Sequence, residues 1–92
     1  PTAIFAATDT LAFGVLAAAR DLGLKVPHDL AVIGFDDIQA AEYMRLTTVR
    51  QGLSASGQRG AQLMLEWLQT GSVTPSHWAT ELPLEVVVRA TT

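Results

Sequence analysis

Four oxygen-bearing side chains stand where a small α/β chain could bind a ligand. Thr8 and Asp9 follow the apolar run AIFAA over residues 3–7, and Asp36 and Asp37 end the run Val32-Ile33-Gly34-Phe35. A strand buried in a parallel sheet reads as a short, nearly continuous apolar run. In open α/β sheets, ligands bind in the crevice beyond the carboxyl ends of such strands. Carboxylate and hydroxyl oxygens gathered there suit a ligand that presents hydroxyl or N–H groups, such as a sugar or a nucleobase. The plainer reading is that acidic residues end strands and start turns. Position alone leaves both readings open.

Other chemistry finds little support. A magnesium ion on Asp36-Asp37 would normally gather further oxygen ligands, and Asp9 is the only obvious addition. A phosphate-accepting site of that type also wants a lysine. The only one, Lys25, falls in a helix-to-strand turn on the opposite side of the sheet. His28 and His77 have no metal-ligand spacing. Ser54 and Ser56 sit in no nucleophile-elbow sequence, and Gly34 lacks a phosphate-loop context. No nucleophile is assembled with a base, so the expectation is a binding module and not an enzyme, with no cofactor and no metal.

The elements that must position these residues follow from local signals. Residues 3–7 read as a first strand. Thr8 and Asp9 supply helix-starting oxygens, and a helix is expected from Asp9 to about Leu22. Gly23 ends it in a left-handed stop, with Leu24 folding back as in a Schellman motif. Val26-Pro27-His28-Asp29 is a turn, since Pro27 cannot continue a helix. Leu30 to Phe35 is a second strand, which makes a β-α-β unit with a right-handed crossover. Residues 38–44 read as a short helix or turn, and Leu46 to Gln51 (LTTVRQ) as a third extended segment. Ser54 is expected to cap a long helix over about residues 55–70, ended by Gly71. Residues 72–76 form a loop, and 78–82 and 84–89 read as closing strands split by Pro83.

Two helix faces constrain the packing. In the first helix, Leu11, Val15, Ala18, Ala19 and Leu22 form one stripe, while Phe13, Leu16, Ala17 and Arg20 lie on another side. A sheet covers only one face. The second face therefore wants either a symmetric partner or a part of the fold outside this chain. In the second long helix the stripe is Leu53, Gly57, Ala61, Met64, Leu65 and Leu68.

Composition points the same way. The chain has 92 residues, 49% hydrophobic and only 16% charged. A domain this small buries roughly 60–65% of its unfolded surface, so the apolar content exceeds what a lone domain needs. A piece of a larger fold or an obligate oligomer is expected, and a first residue of Pro1 instead of Met fits a fragment or a processed chain. Net charge is −3, and the six basic residues are scattered singly, so this piece is a poor nucleic-acid binder by itself. There is no cysteine, and no apolar run approaches membrane-spanning length. A soluble chain is expected.

Three blocks in order carry a family resemblance: A-x-D-x-x-A-x-G at Ala7–Gly14, L-G-L-x-V-P-x-D-L-x-V-I-G-F-D-D at Leu22–Asp37, and L-T-T-V-R-Q at Leu46–Gln51. Together the stretch from Thr2 to Arg89 resembles the C-terminal part of LacI/GalR-type transcriptional regulators. The resemblance implies a partial α/β fold, a three-layer parallel-sheet periplasmic-binding-protein-like architecture. Residues 1–49 would belong to the C-terminal subdomain, about 50–76 to a crossover and a helix of the N-terminal subdomain, and about 77–92 to returning strands. The DNA-binding headpiece that the resemblance implies would lie outside these residues, absent from this stretch.

The implied function is effector binding and dimerisation in a cytoplasmic bacterial regulator. A sugar-like or nucleobase-like ligand would sit in a cleft between subdomains and modulate DNA binding by a helix-turn-helix headpiece. A fragment of a periplasmic sugar-binding transport protein is the alternative. By the same resemblance, Asp36 matches a ligand-contacting aspartate and Gln51 a crossover residue lining the cleft. Thr8 stands where the family usually has Asn, and Asp9 matches the family's following Asp. Phe13, Leu16, Ala17, Tyr43 and Met44 would form the dimer surface of a homodimer. The chain departs from the pattern between Asp36 and Leu46, where it is about two residues shorter and lacks the usual proline before L-T-T.

Overall fold

Short apolar runs and well-placed helix stops organise the chain in the order β1 (Ala3–Phe5), α1 (Asp9–Asp21), β2 (Ala31–Asp36), α2 (Gln39–Tyr43), β3 (Thr47–Arg50), α3 (Leu53–Thr70) and β4 (Glu85–Val87). A computed structural model describes residues 1–72 and 79–92. The chain divides into two units, one of Pro1–Gln51 with Leu84–Thr92 and one of Gly52–Pro83.

The first unit is built on a sheet of order β1-β2-β3-β4. β1, β2 and β3 run parallel, as the β-α-β reading requires, and β4 returns antiparallel to β3. The sheet is therefore mixed. The register pairs Phe5 with Ile33, Ile33 with Thr47, Asp36 with Arg50, and Arg50 with Glu85. The C-terminal segment beyond β4 is sewn to the start of β2 and β3. The Thr91 hydroxyl donates to the Val32 carbonyl at 2.7 Å and accepts from the Thr47 amide at 2.9 Å.

Both crossovers cover one face of the sheet. Ala6, Ala12, Ala19, Leu30, Val32, Ala41 and Leu46 form a single core that joins β2, α1 and α2. The small side chains Ala12 and Ala19 let α1 lie close to the strands, and they are fully enclosed while Leu11 and Leu22 are 58% and 75% exposed. This corrects the expected helix stripe. The buried line runs through Asp9, Ala12 and Ala19, because close approach selects small residues over large ones. The opposite sheet face carries Phe5, Ile33, Phe35, Val49 and Val86, as side chains alternate along a strand. Phe5 and Val86 are more than half exposed. Within the described residues Ile33 and Phe35 are only half-buried, so that face of β2 is partly covered, whereas its unbroken apolar run implied full cover on both faces.

Local chemistry sets the helix ends. Thr8 caps α1, its hydroxyl accepting from the Leu11 amide at 3.2 Å. At the other end the Leu24 amide donates to the Ala19 carbonyl and the Gly23 amide to that of Arg20, a Schellman closure with Gly23 at φ +71°. The same closure ends α2 without a glycine. Leu46 donates to Ala41 and Arg45 to Glu42, with Arg45 left-handed at φ +53°. This tight stop is how the shortened segment before Leu46 reaches β3.

The second unit contributes α3. It starts at a left-handed Gly52 with no side-chain cap, so Ser54 lies inside the first turn and is not the cap that the sequence suggested. Gly71 ends it at φ +71°. None of its residues is buried, and Leu53, Met64, Leu65, Trp67 and Leu68 are each more than half exposed. Among the described residues of this unit, none is buried to give that apolar stripe a core. Of the two expected closing strands, Glu85–Val87 forms among the described residues. Residues 79–82 are not in a strand, and Trp78 and His77 lie outside the described residues.

Candidate ligand-binding site

The carboxyl ends of β2 and β3 bring four polar residues together in two adjacent pairs. Asp36 ends β2 and Asp37 follows it, while Arg50 ends β3 and Gln51 follows that. The Gln51 side-chain amide Nε2 donates to Asp36 Oδ1 at 2.5 Å. Both residues are half-buried. Among the described residues, Asp36 Oδ2 and Gln51 Oε1 carry no hydrogen bond, so this pair offers two acceptors on the open side.

Asp36 and Asp37 have φ values of +116° and +55°. Such backbone in non-glycine residues costs on the order of 1–3 kcal/mol each and persists only where the surroundings enforce it. The enforcement is visible. Asp37 Oδ2 accepts from Arg50 Nε at 2.7 Å and Oδ1 from Arg89 Nη2 at 2.8 Å. The Asp37 amide points to the Thr48 hydroxyl at 3.4 Å. Arg50 also reaches Glu85 of β4 at 3.2 Å. Burial pushes the Asp37 carboxyl upward, but hydrogen bonds and positive charge from Arg50 and Arg89 outweigh it and hold the group below the usual carboxylate range.

Asp9 has a different place. Its side chain is fully enclosed. Oδ2 accepts from the Ile38 amide at 2.9 Å, and Oδ1 accepts from the Thr48 hydroxyl at 2.5 Å. With both oxygens engaged and no exposed surface, Asp9 is an internal tie between α1, the start of α2, and β3. Thr8 is half-buried as the α1 cap. It follows β1 by three residues, so it lies beyond the carboxyl end of β1, the same edge of the parallel sheet at which Asp36 ends β2.

The structure thus pairs Asp36 with Gln51, keeps Thr8 at the same sheet edge, and encloses Asp9. Asp37, Arg50 and Arg89 went unassigned on sequence. Their link spans 52 positions from Asp37 to Arg89, and no local spacing signals it. Tyr43 and Met44 are 74% and 52% exposed, and Gln39 donates to the Tyr43 hydroxyl at 3.2 Å. Phe13 and Leu16 are partly committed to the core. An apolar hollow lined by Ile4, Val15, Ala19, Leu22, Leu24 and Leu30 lies by the C-terminal part of α1. It contains no polar side chain to orient a ligand. Among the described residues no group of His, Cys, Asp and Glu could hold a metal ion, and no helix is long and apolar enough to cross a membrane.

A parallel β-α-β core with polar residues at its strand ends is the frame in which the chain can be compared with known families. The model of the periplasmic binding protein-like domain matches residues 1–92, and the chain belongs to that family. Its relatives include transcriptional repressors and regulators, among them regulators of the LacI family. The HTH-type transcriptional repressor PurR of Vibrio vulnificus is 41% identical over 68 residues, 72% of this chain and 20% of that protein. The repressor MelR of Bacillus subtilis is 38% identical over 97% of this chain and 26% of its own length. The crystal structure of a LacI family regulator from Enterococcus faecium with bound ribose superimposes with a TM-score of 0.85 at 34% identity, covering 99% of this chain and 34% of that one. The chain spans about a fifth to a quarter of the length of these curated relatives.

Proposed function

We propose that this chain is the effector-binding and dimerisation region of a bacterial LacI-type regulator acting in the cytoplasm. Its ligand is a small sugar-like or nucleobase-like molecule. The observation that carries the reading is the Asp36–Gln51 pair, two side chains with unused acceptors at the carboxyl ends of adjacent parallel strands. A carboxylate and a carboxamide side by side match neighbouring hydroxyls of a sugar, or the mixed donors and acceptors of a base edge. Thr8, beyond the carboxyl end of β1, supplies a hydroxyl at the same edge of the sheet. The bound ribose in the Enterococcus faecium relative supports the sugar class.

In the full-length protein the ligand lies in a cleft between subdomains, whose other wall comes from sequence beyond this chain. Residues 1 to about 49 belong to the C-terminal subdomain, about 50–76 to a crossover and a helix of the N-terminal subdomain, and about 77–92 to returning strands. Binding favours one arrangement of the subdomains and thereby shifts the placement of paired DNA-binding headpieces, which requires different effector affinities in the two states. Dimerisation uses α1 and the segment after Asp37, with Phe13, Leu16, Ala17, Tyr43 and Met44 at the contact.

The test is Asp36→Ala in the full-length protein, titrated by calorimetry with ribose, glucose, sucrose, adenine and guanine. Loss of the binding shown by the parent, with operator binding retained, is expected. Unchanged affinity for the ligand that the parent binds would remove Asp36 from the site.

A further inference from the structure

We infer that Asp37 is a positioning residue that holds the Asp36–Gln51 pair in its ligand-ready geometry without touching the ligand, an inference that rests on the effector reading above. Asp36 is bonded along the chain to Asp37, and Arg50 to Gln51. Asp37 is paired with Arg50 at 2.7 Å, and Gln51 with Asp36 at 2.5 Å. Two peptide links and two side-chain contacts therefore close a ring of four residues from the ends of two adjacent strands. If Asp37 releases Arg50, one side of the ring opens and Gln51 loses the restraint on the residue just before it.

The ring is anchored from outside. Arg89 meets Asp37 at 2.8 Å, and its own position is held by Nη1 on the Leu46 carbonyl and its backbone amide on the Thr47 hydroxyl, each at 2.8 Å. The Asp37 and Arg89 side chains are only 9% and 17% exposed, which limits solvent screening of this contact. Both Asp37 oxygens accept from arginine and the side chain is only 9% exposed, which leaves little of it open to a ligand, whereas Asp36 Oδ2 and Gln51 Oε1 are unused among the described residues. The left-handed φ values of Asp36 and Asp37 need such an external restraint. The division of labour follows from these facts: Asp36 meets the ligand, and Asp37 decides where Asp36 stands.

The experiment uses full-length protein with ¹⁵N-labelled glutamine, the Gln51 side-chain amide being assigned by its loss in Gln51→Met. Asp37→Asn is expected to move that resonance in the ligand-free protein. It should also weaken calorimetric affinity at least tenfold for whichever of ribose, glucose, sucrose, adenine or guanine the parent binds. Leu30→Ala, which truncates a buried core side chain just before β2, serves as the destabilised control and should change neither. An unmoved Gln51 resonance in Asp37→Asn, or an equal response in Leu30→Ala, overturns the inference. If Asp37→Asn does not fold, Arg50→Met, at a side chain 48% exposed, takes its place under the same criteria. A moved resonance in a protein that binds none of the five probes supports the positioning role and removes the effector reading for these ligand classes.

Discussion

Asp9 Oδ1 accepts the Thr48 hydroxyl at 2.5 Å, which joins the first turn of α1 to β3 across the intervening β2. The residue beneath this contact is Gly34, the β-ladder partner of Thr48. A Cβ at Gly34 would overlap Asp9 Oδ1 and crowd the Asp9 Cα and a Leu46 methyl. The glycine in V-I-G-F-D-D is thus explained by close approach, since its backbone is not in the left-handed region.

Gly34→Ala should therefore displace Asp9 and break a buried hydrogen bond. The expected cost is about 2–4 kcal/mol, from overpacking together with a carboxylate left short of a donor. Equilibrium urea unfolding of the full-length protein checks this. A midpoint equal to that of the parent would mean that α1 moves away freely and that the Asp9–Thr48 tie is weak.

The Asp37 pairs carry a pH signature. The folded-state carboxyl titrates below its unfolded value, so its contribution to stability is fully present above the ordinary aspartate value of about 4. That contribution is lost as pH falls through the lower, folded value. The stability gap between the parent and Asp37→Asn should be widest at pH 6–7 and should narrow progressively below about pH 4. Comparing the two proteins cancels the exposed Asp29, whose carboxyl is also held low, chiefly by His28. A gap that stays constant down to pH 3 would show that the charge of Asp37 is not what stabilises the clasp.

Tyr43 offers a clean probe of the proposed dimer surface. It is 74% exposed, whereas Phe13 and Leu16 also pack on the core, so a charge at Tyr43 should leave folding intact. Full-length Tyr43→Glu is expected to sediment as a monomer at concentrations where the parent is dimeric. A persistent dimer would move the contact elsewhere.

Much of the fold was legible because its signals are local. Thr8 at the α1 cap, Gly23 at its stop, Gly71 at the end of α3 and the apolar runs of β1 and β2 each act through the nearest few residues. Hydrogen bonds across three or four positions depend little on the rest of the molecule. Residues 79–82 form no strand and Ser54 is no cap, for the converse reason. Strand formation near the C-terminus depends on pairing with β3 nearly forty residues earlier, and Gly52 could begin α3 before Ser54 was reached.

The sequence by itself determined the β-α-β plan, the family, and the placement of Asp36 and Gln51 at strand ends, since strand runs, turn residues and three ordered motifs are properties of short stretches. Only the tertiary structure decided what the neighbouring carboxylates do. Asp9, Asp36 and Asp37 are alike as residue types, yet one is enclosed by Thr48 and Ile38, one is half-open beside Gln51, and one is clasped by Arg50 and Arg89. Those partners lie 13 to 52 positions away in the chain. A carboxylate's role is set by the donors that reach it in space, and that information resides in the packed sheet.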